Sequence, residues 1–243
     1  TAVAAILYLV VQLLSITGVL NGYFMIIINR SLVFVMADGN VGQIMEPAEL
    51  PPFQPLKTQY PEWAVRGAEN REKHILSSIY IKPEDEEVTN YRLLERWHQI
   101  ETAELRYKEY YLDDAEIVVV GFGTAGRVAF SAVRAARAQG IRVGLLRPIT
   151  LRPFPSAQIA EISKSVNALL VVEMNSGQML DDVQLAVAGR APVDFYGRMG
   201  GMVPYQDEIL AEIVRMAGED IPLEGDPRRR WAQRINYGRN GNK

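Results

Sequence analysis

VVVGFGTAGRVAFSAV, residues 118–133, decides how the rest of the chain is read. A β-branched run feeds Gly121, Gly123 and Gly126, and a helical pattern begins directly after them. This is G-x-G-x-x-G where a strand opens into a helix, the setting in which unpaired N–H groups can hold a pyrophosphate. A dinucleotide site needs a second element, an acidic residue at the end of the next strand, to hold the ribose hydroxyls. Here the strand Ile141 to Leu146 is followed by Arg147-Pro148-Ile149-Thr150, with no Asp or Glu. Two readings stay open. Arg147 could accept a 2′-phosphate, giving an NADP-binding Rossmann-like domain that uses the 121–126 glycine turn. Alternatively, small residues let the first helix start tightly against the sheet.

From residue 113 onward, strand and helix patterns alternate. Strands are expected at 116–120, 142–147, 168–173 and 193–196, and helices at about 124–138, 156–166, 178–187 and 205–217, with Ser156 as an N-cap. Such alternation implies right-handed crossovers and an open, mostly parallel sheet with helices on both faces. In that architecture ligands and partners meet the carboxyl ends of the strands. Four loops converge there: GFGT (121–124), RPITLRPFPS (147–156), EMNSGQML (173–180) and YGRMGGMVP (196–204). Asn175, Ser176 and Gln178 offer hydrogen-bonding groups, and Arg198 sits between glycines, where backbone can approach another surface. Met174, Met179, Met199 and Met202 add adaptable apolar contact. The candidate interface or cleft residues are Gly123, Thr124, Arg147, Asn175, Gln178, Arg198 and Gly200.

The 243-residue chain carries a net charge of −3, which gives no electrostatic case for nucleic acid. It has no cysteine, which excludes disulfides, thiolate nucleophiles and iron–sulfur ligation by its own side chains and fits a cytoplasmic setting. His74 and His98 lie in a charged region where a solvated or packing role is the simplest reading, and no metal site is expected. Residues 1–29 contain no charged side chain, so hydropathy alone makes them a membrane-span candidate. Gln12, Ser15, Thr17 and Asn21 interrupt that run and no Lys or Arg cluster flanks it, so a buried helix plus strand explains it as well. Residues 32–37 read as a buried strand ended by the turn chemistry of Asp38-Gly39-Asn40. Five prolines between Glu46 and Trp63 mark a linker, and Pro83 to Tyr111 read as one charged amphipathic helix with an acidic first turn. Residues 219–243, with Arg228-Arg229-Arg230, read as a mobile tail or a docking strap.

The loops themselves carry a family resemblance. LLRPITLRPFP (145–155), VVEMNSGQMLDDVQLAV (171–187) and FYGRMGGMVP (195–204) closely resemble the alpha-type subunit of 2-oxoacid:ferredoxin oxidoreductases. ADGNVGQIMEPAELPPF (37–53) resembles the end of that subunit's pyrimidine-binding domain. RLLERWHQIETAELRYKEYYLDDAEIVVVGFGT (92–124) is most similar to the branched-chain, 3-methyl-2-oxobutanoate member. The resemblance covers about residues 31–218, and within it 113–218 resemble the transketolase C-terminal domain. It implies that Gly123, Thr124 and Arg127 belong to the family pattern, while Gly121 and Gly126 match it only as small residues.

The resemblance further implies oxidative decarboxylation of a 2-oxo acid on thiamine diphosphate and Mg, yielding acyl-CoA and electrons for ferredoxin through iron–sulfur clusters. The thiazolium would act as electron sink. The implied partners are a beta-type subunit carrying Gly-Asp-Gly, and gamma-type and ferredoxin-like Cys-rich subunits, with ferredoxin and CoA as co-substrates. Ala37-Asp38-Gly39 only partly echoes the diphosphate signature, and no stretch matches the substrate loop or the cofactor-activating glutamate segment, which are expected upstream of Thr1. No catalytic residue is therefore named in this chain, and no cofactor is assigned to it alone. Residues 14–30 depart from the family, which has a charged helix there. The expected organisation is the end of a pyrimidine-binding-type domain (1–48), a Pro-rich linker and charged helix (49–112), a transketolase C-terminal-like domain (113–218) and a tail (219–243).

Overall fold

The computed structural model describes residues 79–240 throughout, the strands Tyr23–Ile28 and Ser31–Met36, and scattered positions between 43 and 75. The chain divides into two units, Thr1–Thr89 and Asn90–Lys243. In the first, β1 (Tyr23–Ile28) and β2 (Ser31–Met36) form an antiparallel pair with Tyr23 opposite Met36 and Ile28 opposite Ser31. Apart from Ser31, both are apolar runs rich in β-branched and aromatic residues, as pleated pairing favours. The strand expected at 32–37 is β2. The membrane-span and buried-helix readings of 1–22 and the 38–40 turn lie outside the described residues. Among those described, no helix is long and apolar enough to cross a membrane.

Helix α1 (Pro83–Ala103) has the expected acidic first turn and no buried residue. It ends earlier than the sequence suggests, and residues 107–110 instead form a strand, β3 (Tyr107–Tyr110). The reason is long-range. Ile149 N and Thr150 N donate to Arg106 O at 2.9 and 3.1 Å, and Tyr107 and Tyr110 pack on the core, the latter with its ring 4.6 Å from Phe130. Burying these rings outweighs continuing a helix of charged residues.

The second unit is built on a five-stranded sheet of order β3-β5-β4-β6-β7. Its parallel strands are β4 (Ile117–Gly121), β5 (Val143–Pro148), β6 (Ala168–Glu173) and β7 (Val193–Gly197). β3 runs antiparallel on the β5 edge. Helices α2 (Gly123–Ala138), α3 (Ser156–Ile162) and α4 (Gln178–Val187) make the crossovers, and with α5 (Gln206–Gly218), which follows β7, they cover both faces. This is the open, mostly parallel sheet with helices on both faces that the alternation from residue 113 predicts. Ser156 is the first residue of α3, not its N-cap; Pro155 stands at that position, with no side-chain cap.

Close packing explains the glycines at 121 and 126. α2 faces the sheet with Ala125, Gly126, Ala129, Ala132, Val133 and Ala136, so its axis lies near β4. A Cβ on Gly126 would stand 2.8 Å from the Gly121 carbonyl carbon, closer still to its oxygen, and 3.2 Å from Arg147 Cγ. The two glycines are the contact between helix and strand.

Residues 219–243 are not simply a tail: α6 (Pro227–Asn240) packs along β7. Trp231 is buried and meets Phe195 edge to face at 5.2 Å. β7 is an edge strand whose outward carbonyls would be open to another chain. Arg230 donates to Val193 O at 2.6 Å and Arg234 to Phe195 O at 3.0 Å. One helical turn, about 6 Å between positions i and i+4, matches the spacing of two strand residues. Between them the fully buried Asp194 pairs with Arg215, with Arg234 at 3.2 Å and with Arg230 at 3.5 Å. Burial works against the Arg215 charge, but Glu212 and then Asp194 outweigh it and raise its pKa above the ordinary arginine value. A cavity of about 540 Å³ opens beside this cluster. Its guanidiniums are already engaged by the chain's own acceptors, which makes it the cleft of the clamp itself.

Two outcomes test this packing by urea unfolding. Gly126→Ala should lose about 1–3 kcal/mol, as overpacking does, and a variant as stable as the parent contradicts the contact. Asp194→Ala should lose about 3–5 kcal/mol, because buried guanidiniums are left without their counter-charge. A loss under about 1 kcal/mol, the size of a surface pair, contradicts the clamp.

Candidate functional site at the carboxyl edge of the sheet

The carboxyl edge is assembled from four loops held in register by the sheet. Gly121 lies opposite Val172, and Glu173 opposite Gly197, so the first, third and fourth loops leave adjacent strands side by side. Arg147, the last residue but one of β5, lies opposite Lys108 and packs its stem near Gly126, which brings the second loop to the first. The reversal of strand order falls between β4 and β6, the place where open α/β sheets leave a crevice.

Gly123 takes φ +54° as the first residue of α2, is exposed, and has open space where a Cβ would stand. Thr124, partly buried, follows within the first turn and is itself engaged. The Arg147 guanidinium has no hydrogen bond or ion pair among the described residues. Arg152, in the same loop, lies over the Trp97 ring at 4.9 Å.

The third loop is organised by a residue the sequence reading did not single out. Glu173 is fully buried, and its two carboxylate oxygens accept from Met179 N and Leu180 N, each at 2.9 Å. Asn175 Oδ1 accepts from Gly177 N at 2.7 Å and Gln178 N at 2.9 Å. The four N–H groups that begin α4 are thus taken up inside the chain, leaving none for a pyrophosphate. Gln178 projects its side chain at the exposed surface. A lone acid closing an otherwise apolar strand, five residues before a helix begins, is the signal that could have found Glu173.

The fourth loop differs most from expectation. Arg198 is not open: its guanidinium pairs with Glu208, whose Oε2 also accepts from Tyr205 N at 2.9 Å as part of a capping box for α5. Arg198 N donates to Glu173 O at 3.1 Å. The close approach that a glycine permits occurs within the chain, since a Cβ on Gly197 would meet Asn175 O and the Phe195 ring at 2.6 Å. Burial pushes the Tyr196 phenol above its ordinary pKa, against the pull of Arg198. Gly200 and Gly201 sit at φ +66° and +86° in a turn closed by Met202 N to Met199 O at 3.3 Å. Of the four methionines, Met179 is buried and Met174 partly so, while Met199 and Met202 are exposed. With Ile149, Leu151 and Tyr205 they leave five large apolar side chains 43–58% exposed on this edge.

Both histidines have local partners. His74 Nδ1 lies 3.1 Å from Ala64 O, and His98 pairs with Glu101 at 3.2 Å on an exposed helix face. Among the described residues no group of three or more His, Asp or Glu side chains is placed to hold a metal ion.

Residues 115–209 match the family described as pyruvate:ferredoxin oxidoreductase core domain II. The chain is 42% identical over 190 residues to the ketoisovalerate oxidoreductase subunit VorB of Methanothermobacter marburgensis, covering 78% of this chain and 54% of that protein. The VorB of Methanothermobacter thermautotrophicus matches to the same extent. The 2-oxoglutarate synthase subunit KorA of M. marburgensis is 42% identical over 106 residues, covering 44% of this chain and 28% of that protein. The chain therefore spans about half the length of the VorB proteins it matches. None of these relatives supports the NADP-binding reading of the glycine turn. Family members depend on thiamine diphosphate and iron–sulfur clusters and work as subunits of larger complexes. The family-domain match and the long VorB matches support a 2-oxoacid:ferredoxin oxidoreductase subunit of the branched-chain type.

Proposed function

We propose that the chain is part of a multisubunit enzyme that oxidatively decarboxylates branched-chain 2-oxo acids to acyl-CoA, passing the electrons to ferredoxin. Its own contribution is assembly: the carboxyl edge of the sheet receives a partner subunit and so shapes the surroundings of the thiamine site. The observation that carries this reading is the group of exposed apolar side chains on that edge. Ile149, Leu151, Met199, Met202 and Tyr205 are exposed on or beside the loops of the edge that also carries the polar residues Asn175 and Gln178. Apolar groups gathered on one edge and rimmed by polar ones favour contact with another surface.

The described residues do not fit thiamine diphosphate itself. The N–H groups that begin α4 are filled by Glu173 and Asn175, and no acidic cluster is placed for Mg. The cofactor would be held with a beta-type subunit carrying Gly-Asp-Gly. Gamma-type and ferredoxin-like Cys-rich subunits would carry the clusters, in the cytoplasm, with CoA and ferredoxin as co-substrates.

The test is co-expression of the full-length protein with those subunits, followed by copurification and by 2-oxoisovalerate-dependent, CoA-dependent ferredoxin reduction. The double variant Met199→Asp, Met202→Asp alters two exposed side chains and should leave the isolated chain folded. It should weaken association tenfold or more. A chain that stays separate from those subunits, or a double variant that assembles as well as the parent, contradicts the reading.

A further inference from the structure

The loop 173–178 is held from two sides. Its amides turn inward: Gly177 N and Gln178 N donate to Asn175 Oδ1, and Met179 N and Leu180 N to Glu173. Its carbonyls turn to a residue about fifty positions away. Arg228 Nε donates to Ser176 O at 3.0 Å, and Nη2 donates to Gly177 O and, at 2.7 Å, to Asp181 Oδ1. Arg228 is itself fixed, because its own N donates to Asp226 Oδ1 at 2.9 Å where α6 begins. The loop is shaped to receive it. Gly177 has φ +101°, and a Cβ there would stand 3.0 Å from Arg228 Nε. α6 lies beyond residues 115–209, the span that matches the family domain.

We infer that Arg228 is a positioning residue for the 173–178 loop, so that the C-terminal helix sets the geometry with which Asn175 and Gln178 meet a partner. The planar fork of a guanidinium serves two successive carbonyls and a carboxylate at once, which a lysine ammonium on a flexible stem does not reproduce. Fixing both carbonyls fixes the peptide planes on either side of Gly177. Those planes decide where Asn175 Oδ1 finds its two donors, and hence where the remaining amide group of Asn175 and the Gln178 side chain stand. Asp181 contributes an exposed ion pair of small energetic weight. The loop bonds carry the effect.

The role in partner contact rests on the proposed function above, but the positioning itself is measurable without any partner. The experiment follows amide hydrogen exchange in the full-length protein for Arg228→Ala, Arg228→Lys and Asp181→Asn. Exchange at residues 175–180 should rise tenfold or more in R228A and R228K and stay within about twofold in D181N. Exchange in β7 and at Trp231 should not change. Unchanged exchange at 175–180, or an equal rise across β7 and α6, overturns the inference, and so does full rescue by lysine. Association with the partner subunits is then read for the same variants. If R228A frees the loop yet assembles as the parent does, the loop is not an interface. The positioning role then stands on its exchange result, while the proposed contact falls.

Discussion

The Glu173 carboxylate is the interaction on which the site depends. It ends a strand whose six residues are all buried, and a carboxylate there is tolerated only if its oxygens find donors. The donors are the first N–H groups of α4, which are unpaired by the nature of a helix start. Each group satisfies the other, and the turn of chain between them is forced into the short loop 174–177. Its backbone oxygen then takes Arg198 N, and the Arg198–Glu208 pair leads on to the start of α5. Two helix starts and two loops are thereby joined through one buried acid.

The opposite margin is governed by similar chemistry for a different end. Arg230 and Arg234 close the open carbonyls of β7, and Asp194 supplies the negative charge that allows three guanidiniums to gather there. An edge covered in this way cannot extend the sheet into a neighbouring chain. The carboxyl edge is the surface we propose for contact. α6 serves both margins, since Arg228 at its start reaches the loop that Glu173 organises.

Much of this was legible in the sequence because it is local. The strands are unbroken β-branched runs and the crossover helices have clear apolar periodicity, so β4 to β7 and α2 to α5 fall within a few residues of expectation. Gly123 is exposed with room for a Cβ, whereas Gly121 and Gly126 pack against each other, a contact that only the coordinates reveal. What stayed hidden depends on distant partners. β3 is four residues long and forms because Arg106 meets Thr150. α6 has little apolar content, and arginine bonds to carbonyls hold it, a pattern with no periodic signature. Arg198 looked available between glycines, but its partner Glu208 lies ten residues on, across a turn.

We propose that the carboxyl edge is where this chain meets its partner. Hydrogen exchange of the assembled complex against the free chain tests it most directly. Slowed exchange is expected in the loops 121–124, 147–156, 173–180 and 196–204, with the amino edge around 139–142 and 188–192 unchanged. Protection confined to the amino edge, with the four loops exchanging as in the free chain, would contradict it.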